Sequence, residues 1–182
     1  MQIKEGCLRP MEDSDLQQVL DWRNSERVRL CMRNQHIISP EEHAKWWAGL
    51  NWDRHVPLIF EYRGRPVGVV NVTQIDWQSG TCEWGFYLGE ENMPRGTGRL
   101  MGYEGLRFIF EVMGLRKINS EVLTSNKKSL DYHYSLGFVI EGTLHDQIKL
   151  ADRYVGLVLM ASFKNRWLLT KPVLRASVEG AA

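Results

Sequence analysis

The densest chemical signal in the chain is the run Met93-Pro94-Arg95-Gly96-Thr97-Gly98-Arg99-Leu100-Met101. A strand pattern over Thr81–Leu88 enters it, and a long amphipathic pattern leaves it. Glycines at 96 and 98 let the main chain turn tightly and bring bare N–H groups against a ligand. The helix that follows aims its unpaired first-turn amides and its positive dipole end at the same point, which suits a diphosphate. Arg95 and Arg99 add screening charge. The chemistry expected here is diphosphate binding.

Other chemistry is thinner. His36, His43, His55, His133 and His145 lack the spacing of a zinc ligand set, so no metal is expected. No G-x-S-x-G elbow and no Cys–His signature points to an acyl-enzyme. Cys7, Cys31 and Cys82 form no C-x-x-C pair and are odd in number, which fits a reduced, cytoplasmic protein. A formal net charge of +1 gives no reason to expect a nucleic acid or an acidic membrane surface as partner. No signal-peptide core and no membrane-spanning apolar run is present. With 182 residues, 43% of them hydrophobic, the chain is long enough for one domain with a real core. We expect that domain over residues 1–166 and a tail over 167–182, because the ending Ala176-Ser177-Val178-Glu179-Gly180-Ala181-Ala182 is small and unpatterned.

The elements that must position the glycine-rich run can be read in order. Cys7–Pro10 reads as a first strand, and Asp13-Ser14-Asp15 caps a helix ending near Asn24-Ser25. Ser39-Pro40-Glu41-Glu42 is a capping box with proline at the first helical position. Pro57–Tyr62 and Pro66–Val72 are strands joined by an Arg63-Gly64-Arg65 turn. After Thr81–Leu88 and the glycine-rich run comes a helix closed by Gly114, then a strand over Lys117–Leu123. A helix over Asn126–Leu136 closed by Gly137 follows, and Phe138–Leu144 and Tyr154–Ala161 form a final hairpin. The fold class is α+β: a strand meander, a strand–helix–strand–helix section, and a hairpin.

This order resembles the Gcn5-related N-acetyltransferase (GNAT) family across roughly residues 7–162. The resemblance rests on Arg95-Gly96-Thr97-Gly98 after the fourth strand, on Glu121-Val122-Leu123-Thr124-Ser125-Asn126, and on Leu136-Gly137-Phe138 with Glu141-Gly142. It implies the GNAT acyl-CoA N-acyltransferase fold, a mixed sheet whose fourth and fifth strands splay to admit acetyl-CoA as acyl donor. Transfer is then direct attack in a ternary complex. Cofactor contacts implied are the main chain of Phe86, Tyr87 and Leu88, the cradle Arg95 to Met101 (Gly96, Thr97, Gly98, Arg99 and Leu100 included), and Asn126, Ser129 and His133. Leu100 departs from the small residue usual at its place, although its amide is expected to remain available. Asn126 also reads as a plain N-cap, and the two roles are compatible.

The family's thiolate-side tyrosine falls at His133, with Tyr132 and Tyr134 on either side. The resemblance therefore makes His133, through one imidazole N–H, the group that stabilises the leaving thiolate, with Tyr134 as the other option. Glu121 matches the family's fifth-strand glutamate and stands first as base, with Glu83 second. Tyr154-Val155-Gly156 has glycine where related enzymes often carry aspartate.

The N-terminal half narrows the resemblance. Trp22-Arg23-Asn24, the Met32–His36 segment, Ser39–His43 and Glu83-Trp84-Gly85-Phe86-Tyr87 are similar to the nucleotide-sugar acetyltransferases of pseudaminic acid biosynthesis, a route to flagellar glycans. Those enzymes acetylate the 4-amino group of a UDP-linked 4-amino-4,6-dideoxy-N-acetyl-altrosamine. The likeness places Arg23, Met32, His43, Thr73, Gln74 and Tyr87 around such an acceptor. Two other readings stay open: acetylation of a protein N-terminus, as in ribosomal-protein acetyltransferases, and acyl-CoA sensing without transfer. A homodimer is compatible with all three.

Overall fold

The computed structural model describes residues 5–150 and 152–179. Seven strands form one sheet: β1 Gly6–Pro10, β2 Val56–Tyr62, β3 Arg65–Asp76, β4 Thr81–Leu88, β5 Lys117–Leu123, β6 Val139–Leu150 and β7 Arg153–Phe163. Their order across the sheet is β1-β2-β3-β4-β5-β7-β6. Neighbours are antiparallel except β4 and β5, which run parallel. The helices are α1 Leu16–Asn24, α2 Glu26–Arg29, α3 Pro40–Ala48, α4 Thr97–Arg107, α5 Lys127–Ser135 and α6 Lys164–Glu179. A 3-10 turn at Asp13–Asp15 leads into α1, and a π-helical turn at Phe108–Val112 extends α4.

Local chemistry accounts for the boundaries. At the start of α3, the Ser39 hydroxyl accepts from the Glu42 amide at 3.2 Å, and Glu42 accepts in return from the Ser39 amide at 3.1 Å. Strands β2 and β3 read as nearly unbroken apolar runs because helices cover both sheet faces. Leu58, Phe60, Val70 and Val72 belong to the large core under α4, whereas Ile59 and Val69 join Val19 and Trp22 of α1 on the other face. This is the alternation a pleated strand imposes.

The parallel pair is the feature that makes a site. Strands β4 and β5 pair through Thr81–Lys117, Cys82–Ile118 and Glu83–Asn119, then part. Beyond that point β4 stays with β3 up to Leu88, and β5 stays with β7 up to Leu123. Each half of the sheet keeps its own partner, and the right-handed twist carries the halves apart. The strand edges along the gap are left without ladder partners.

One expectation fails at the C-terminus. The expected tail is helical: α6 runs from Lys164 to Glu179, and the boundary placed at 166/167 falls inside it. Trp167, 1% exposed, packs against Tyr103 and Phe110 with ring centroids 5.3 and 6.2 Å away, and Leu174 and Val178 are buried further along. The sparse apolar spacing of this segment hid it, since one tryptophan and two aliphatics suffice to dock it. Residues 180–182 lie outside the described residues.

Candidate active site

The gap between β4 and β5 opens a cavity of about 410 Å³, walled by Trp84–Leu88 on one side, Ser120–Val122 on the other, and Gly98, Met101, Asn126, Ser129, Tyr132 and His133 at the end. The cradle forms the end wall. Gly96 caps α4 in the left-handed region at φ 98°, where a Cβ would be strained. The Thr97 hydroxyl donates to the Pro94 carbonyl at 2.8 Å and fixes the loop. The Leu100 amide donates to the Gly96 carbonyl at 2.9 Å, so the expectation that it remains available is corrected. Its side chain is buried in the core beside Gly6, which explains why a large residue is tolerated there. The amides of Gly98 and Arg99, two and one residues before it in the first turn, are the ones a helix start leaves over. Arg95 and Arg99 are exposed at the rim.

Helix α5 carries the second wall. Asn126 Oδ1 accepts from the Ser129 amide at 3.1 Å, so it is the N-cap as well as a cavity residue. His133 is 2% exposed and packed between Trp84, Phe86, Tyr132 and Phe138. Its Nδ1 lies 2.7 Å from the Ser129 carbonyl, which can only accept, so Nδ1 carries the proton. Its Nε2 is 2.8 Å from the Ser120 hydroxyl and therefore accepts from it. Burial holds the imidazole below its ordinary pKa, in the neutral form. The single N–H is thus committed to Ser129, and the expected direct donation from His133 to a thiolate does not stand. Tyr134 is also corrected: it is 48% exposed, and the helix turns it away from the cavity. The phenol that does reach the cradle belongs to Tyr132, which donates to the Gly98 carbonyl at 2.6 Å.

Sequence reasoning missed Ser120. It sits one residue beyond the last β4–β5 rung, buried on β5, and only its spacing from a histidine thirteen residues on marks it. Glu121 next to it forms an ion pair with Arg33 of the loop after α2, so the carboxylate expected as base is engaged by a guanidinium. Glu83 stands at the last rung of the paired section. Arg33, Glu83, Ser120 and Glu121 line a second cavity of about 370 Å³ continuous with the first through Trp84 and Gly85.

On the other side of β4 lies a third cavity of about 350 Å³, lined by Arg23, Met32, His36, Glu42, His43, Trp46, His55, Asn71, Thr73 and Tyr87 among others. Met32, Gly85, Phe86 and Tyr87 are common to this cavity and to the β4–β5 gap, so the two meet there. A Cβ on Gly85 would have no neighbour within 4 Å, which leaves the junction open. Arg23, Met32, His43, Thr73 and Tyr87 line this cavity; Gln74 does not. It turns outward at φ 48° within the β3 irregularity and lines an adjoining groove instead. Among the described residues buried Arg23 Nη1 has no hydrogen-bond partner, while the His55 imidazole and the Asn71 amide face each other in the cavity wall. Burial lowers the pKa of His43 and of His55. His43 stacks on Trp46 at 5.1 Å. At Gly156 a Cβ would meet the Leu144 carbonyl oxygen at 2.7 Å, so close approach of β6 accounts for the glycine.

An extended ligand with amide groups and a pyrophosphate fits the β4–β5 gap. Free strand edges can pair with its amides, and the α4 start can hold its phosphates. The chain belongs to the GNAT acetyltransferases: the model of the acetyltransferase (GNAT) domain matches residues 7–139. It is similar to acetyltransferase PseH of Campylobacter jejuni, 23% identical over 76% of this chain and 85% of that protein. It is as similar to spermidine N(1)-acetyltransferase of Escherichia coli, 25% identical over 88% of this chain and 87% of that one. Spermidine N-acetyltransferase of Vibrio cholerae, solved with CoA and spermine, superposes with a TM-score of 0.81 at 20% identity over 91% of this chain and 99% of that one. The protein is thus an acetyltransferase with acetyl-CoA as acyl donor. Among the described residues no group of three or more His, Cys, Asp and Glu is placed to hold a metal ion, and no helix is long and apolar enough to cross a membrane.

Proposed function

We propose that the acceptor is a sugar amine carried on a nucleoside diphosphate, the 4-amino group of a UDP-linked 4-amino-4,6-dideoxy-N-acetyl-altrosamine as in pseudaminic acid biosynthesis. The observation that carries this reading is the charge of the acceptor cavity. Its lining offers a guanidinium with an unpartnered Nη1, three imidazoles and the amide of Asn71. Its one carboxylate, Glu42, is bonded to His36 at 3.0 Å and to the Ser39 amide. A polycation entering here would face Arg23 with no free carboxylate to meet it, and like charges at close range are costly. Hydroxyl and phosphate oxygens find donors instead. A neighbouring groove shares Trp46, His55 and Thr73 with the cavity and adds Lys45 and Arg54, which suits a diphosphate further out.

In this reading the amine reaches the thioester at the Gly85 junction. Main-chain groups along the open edge of β4 polarise the acyl carbonyl and align the donor. The cavity walls Trp84, Phe86 and Met32 exclude water. Attack is direct, without an acyl-enzyme. The test is thiol release from acetyl-CoA with the UDP-4-amino sugar, with spermidine, and with a ribosomal-protein N-terminal peptide. Turnover with the sugar, with KM raised at least tenfold by Arg23→Ala, supports the reading. Turnover with spermidine or the peptide alone overturns it, and acetyl-CoA binding without turnover of any amine leaves the sensor role.

A further inference from the structure

The Ser120–His133 pair has no part in the roles assigned so far, and its geometry is that of a working proton acceptor. We infer that Ser120 is a catalytic residue of the acetyl transfer, its hydroxyl carrying the acceptor's proton to His133 and then on to the departing thiolate.

Four observations support it. The hydroxyl of Ser120 is held 2.8 Å from His133 Nε2, and the Nδ1 proton is fixed by the Ser129 carbonyl at 2.7 Å. Nε2 is therefore a lone pair aimed at the hydroxyl, with the orienting third group supplied by main chain, the arrangement used wherever an imidazole draws a proton from a hydroxyl. Secondly, Ser120 lines both the β4–β5 cavity and the cavity of Arg33 and Glu83, at the point where the strands part. Thirdly, the 2% exposed imidazole, walled by Trp84, Phe86, Tyr132 and Phe138, shares the wall of the β4–β5 cavity with that hydroxyl. Finally, two of the other proton groups nearby are engaged. Glu121 is paired with Arg33, and the Tyr132 phenol, the titratable neighbour of the ring, donates to Gly98.

The proton balance closes. As the amine nitrogen forms its bond to the acyl carbon, its N–H proton passes to Ser120 Oγ, and the hydroxyl proton of Ser120 passes to His133 Nε2. The C–S bonding pair leaves on sulfur. The imidazolium returns its Nε2 proton through Ser120 to that sulfur, so the products are an amide and a thiol, and both residues end as they began. Burial disfavours the imidazolium, which drives the return step. Ser120 touches the reacting groups, while His133 acts through it.

The inference rests on the acetyl-transfer activity, and holds for a sugar amine or another amine alike. Nitrogen-15 NMR of histidine-labelled protein without substrate should report the Nδ1–H tautomer for His133; an Nε2–H tautomer overturns the relay whatever the acceptor proves to be. With the UDP-4-amino sugar, or with spermidine if the sugar is not turned over, Ser120→Ala should lower kcat by roughly 10²–10⁴-fold, the usual worth of general acid–base catalysis. The Kd for CoA by calorimetry should stay within about threefold of wild type, and Ser120→Thr, which keeps the hydroxyl, should recover most of the rate. A Ser120→Ala enzyme with near-normal kcat sinks the idea. So does one whose rate loss merely follows lost CoA binding. Intact-mass detection of an acetyl group on Ser120 would replace the relay with covalent transfer and equally overturn it.

Discussion

The Tyr132 hydroxyl donates to the Gly98 carbonyl at 2.6 Å, fastening the helix that follows β5 to the first turn of the helix that follows β4. The two halves of the sheet have drifted apart at this level, so the bond spans the seam and fixes the depth of the cradle. Tyr132→Phe should cost about 1 kcal/mol of stability, a typical single hydrogen bond. Acetyl-CoA KM should rise up to about fivefold, the most that energy allows, with kcat little changed. Steady-state kinetics against acetyl-CoA with a urea melt checks both.

Gly85 faces open space where the donor and acceptor cavities meet. Gly85→Leu should therefore fold, with stability changed by about 1 kcal/mol or less, the span of strand propensities. Thiol release should fall to background because the side chain fills the junction. Thermal melting separates this from misfolding: a normal melt with no turnover is the expected pair of results.

Three histidines, His43, His55 and His133, are held below the ordinary value of 6.5 by burial. A depressed folded pKa means that the unfolded chain binds protons first as pH falls. Stability is then full above about pH 6.5 and declines as pH drops toward the folded values. Among the carboxylates lowered in the fold, Asp15 and Glu111 add their loss further down, near and below their ordinary 3.8 and 4.5. Urea midpoints at pH 7.5, 6.5 and 5.5 should show the decline, and His55→Asn should flatten it.

Trp167 anchors α6 by packing on Tyr103 and by donating from its indole to Glu111 at 2.8 Å. Trp167→Ala should cost about 3–5 kcal/mol, as for other buried aromatics. Leu169, 80% exposed on the same helix, should be replaceable by alanine within about 0.5 kcal/mol. Denaturant melts of the two variants make the comparison.

The sequence foretold those parts of the fold that local chemistry dictates. Strands Thr81–Leu88 and Lys117–Leu123 fall on their expected residues, and the Ser39–Glu42 box opens its helix as read. Helix α6 escaped because its docking depends on a tertiary partner, Tyr103, that no local pattern announces. The site divides in the same way. Main-chain features such as the Gly96 turn and the Asn126 cap are written locally, whereas Ser120, Arg33 and Tyr132 acquire their roles only when distant segments meet. Gln74 and Tyr134 were misplaced for a related reason: a bulge rotates one and a helical turn rotates the other, each moving a side chain off the expected face.

The parted strands have a thermodynamic corollary. Ladder positions left vacant beyond Glu83 and Asn119 are ones that a bound donor can fill, so binding finishes a sheet that folding leaves unzipped. A ligand present at a hundred times its Kd adds about 2.7 kcal/mol to the folded state, a sizeable fraction of what holds a domain together. The durability of this protein is then tied to how much coenzyme A surrounds it, and depletion of the donor withdraws that share of its stability along with the substrate.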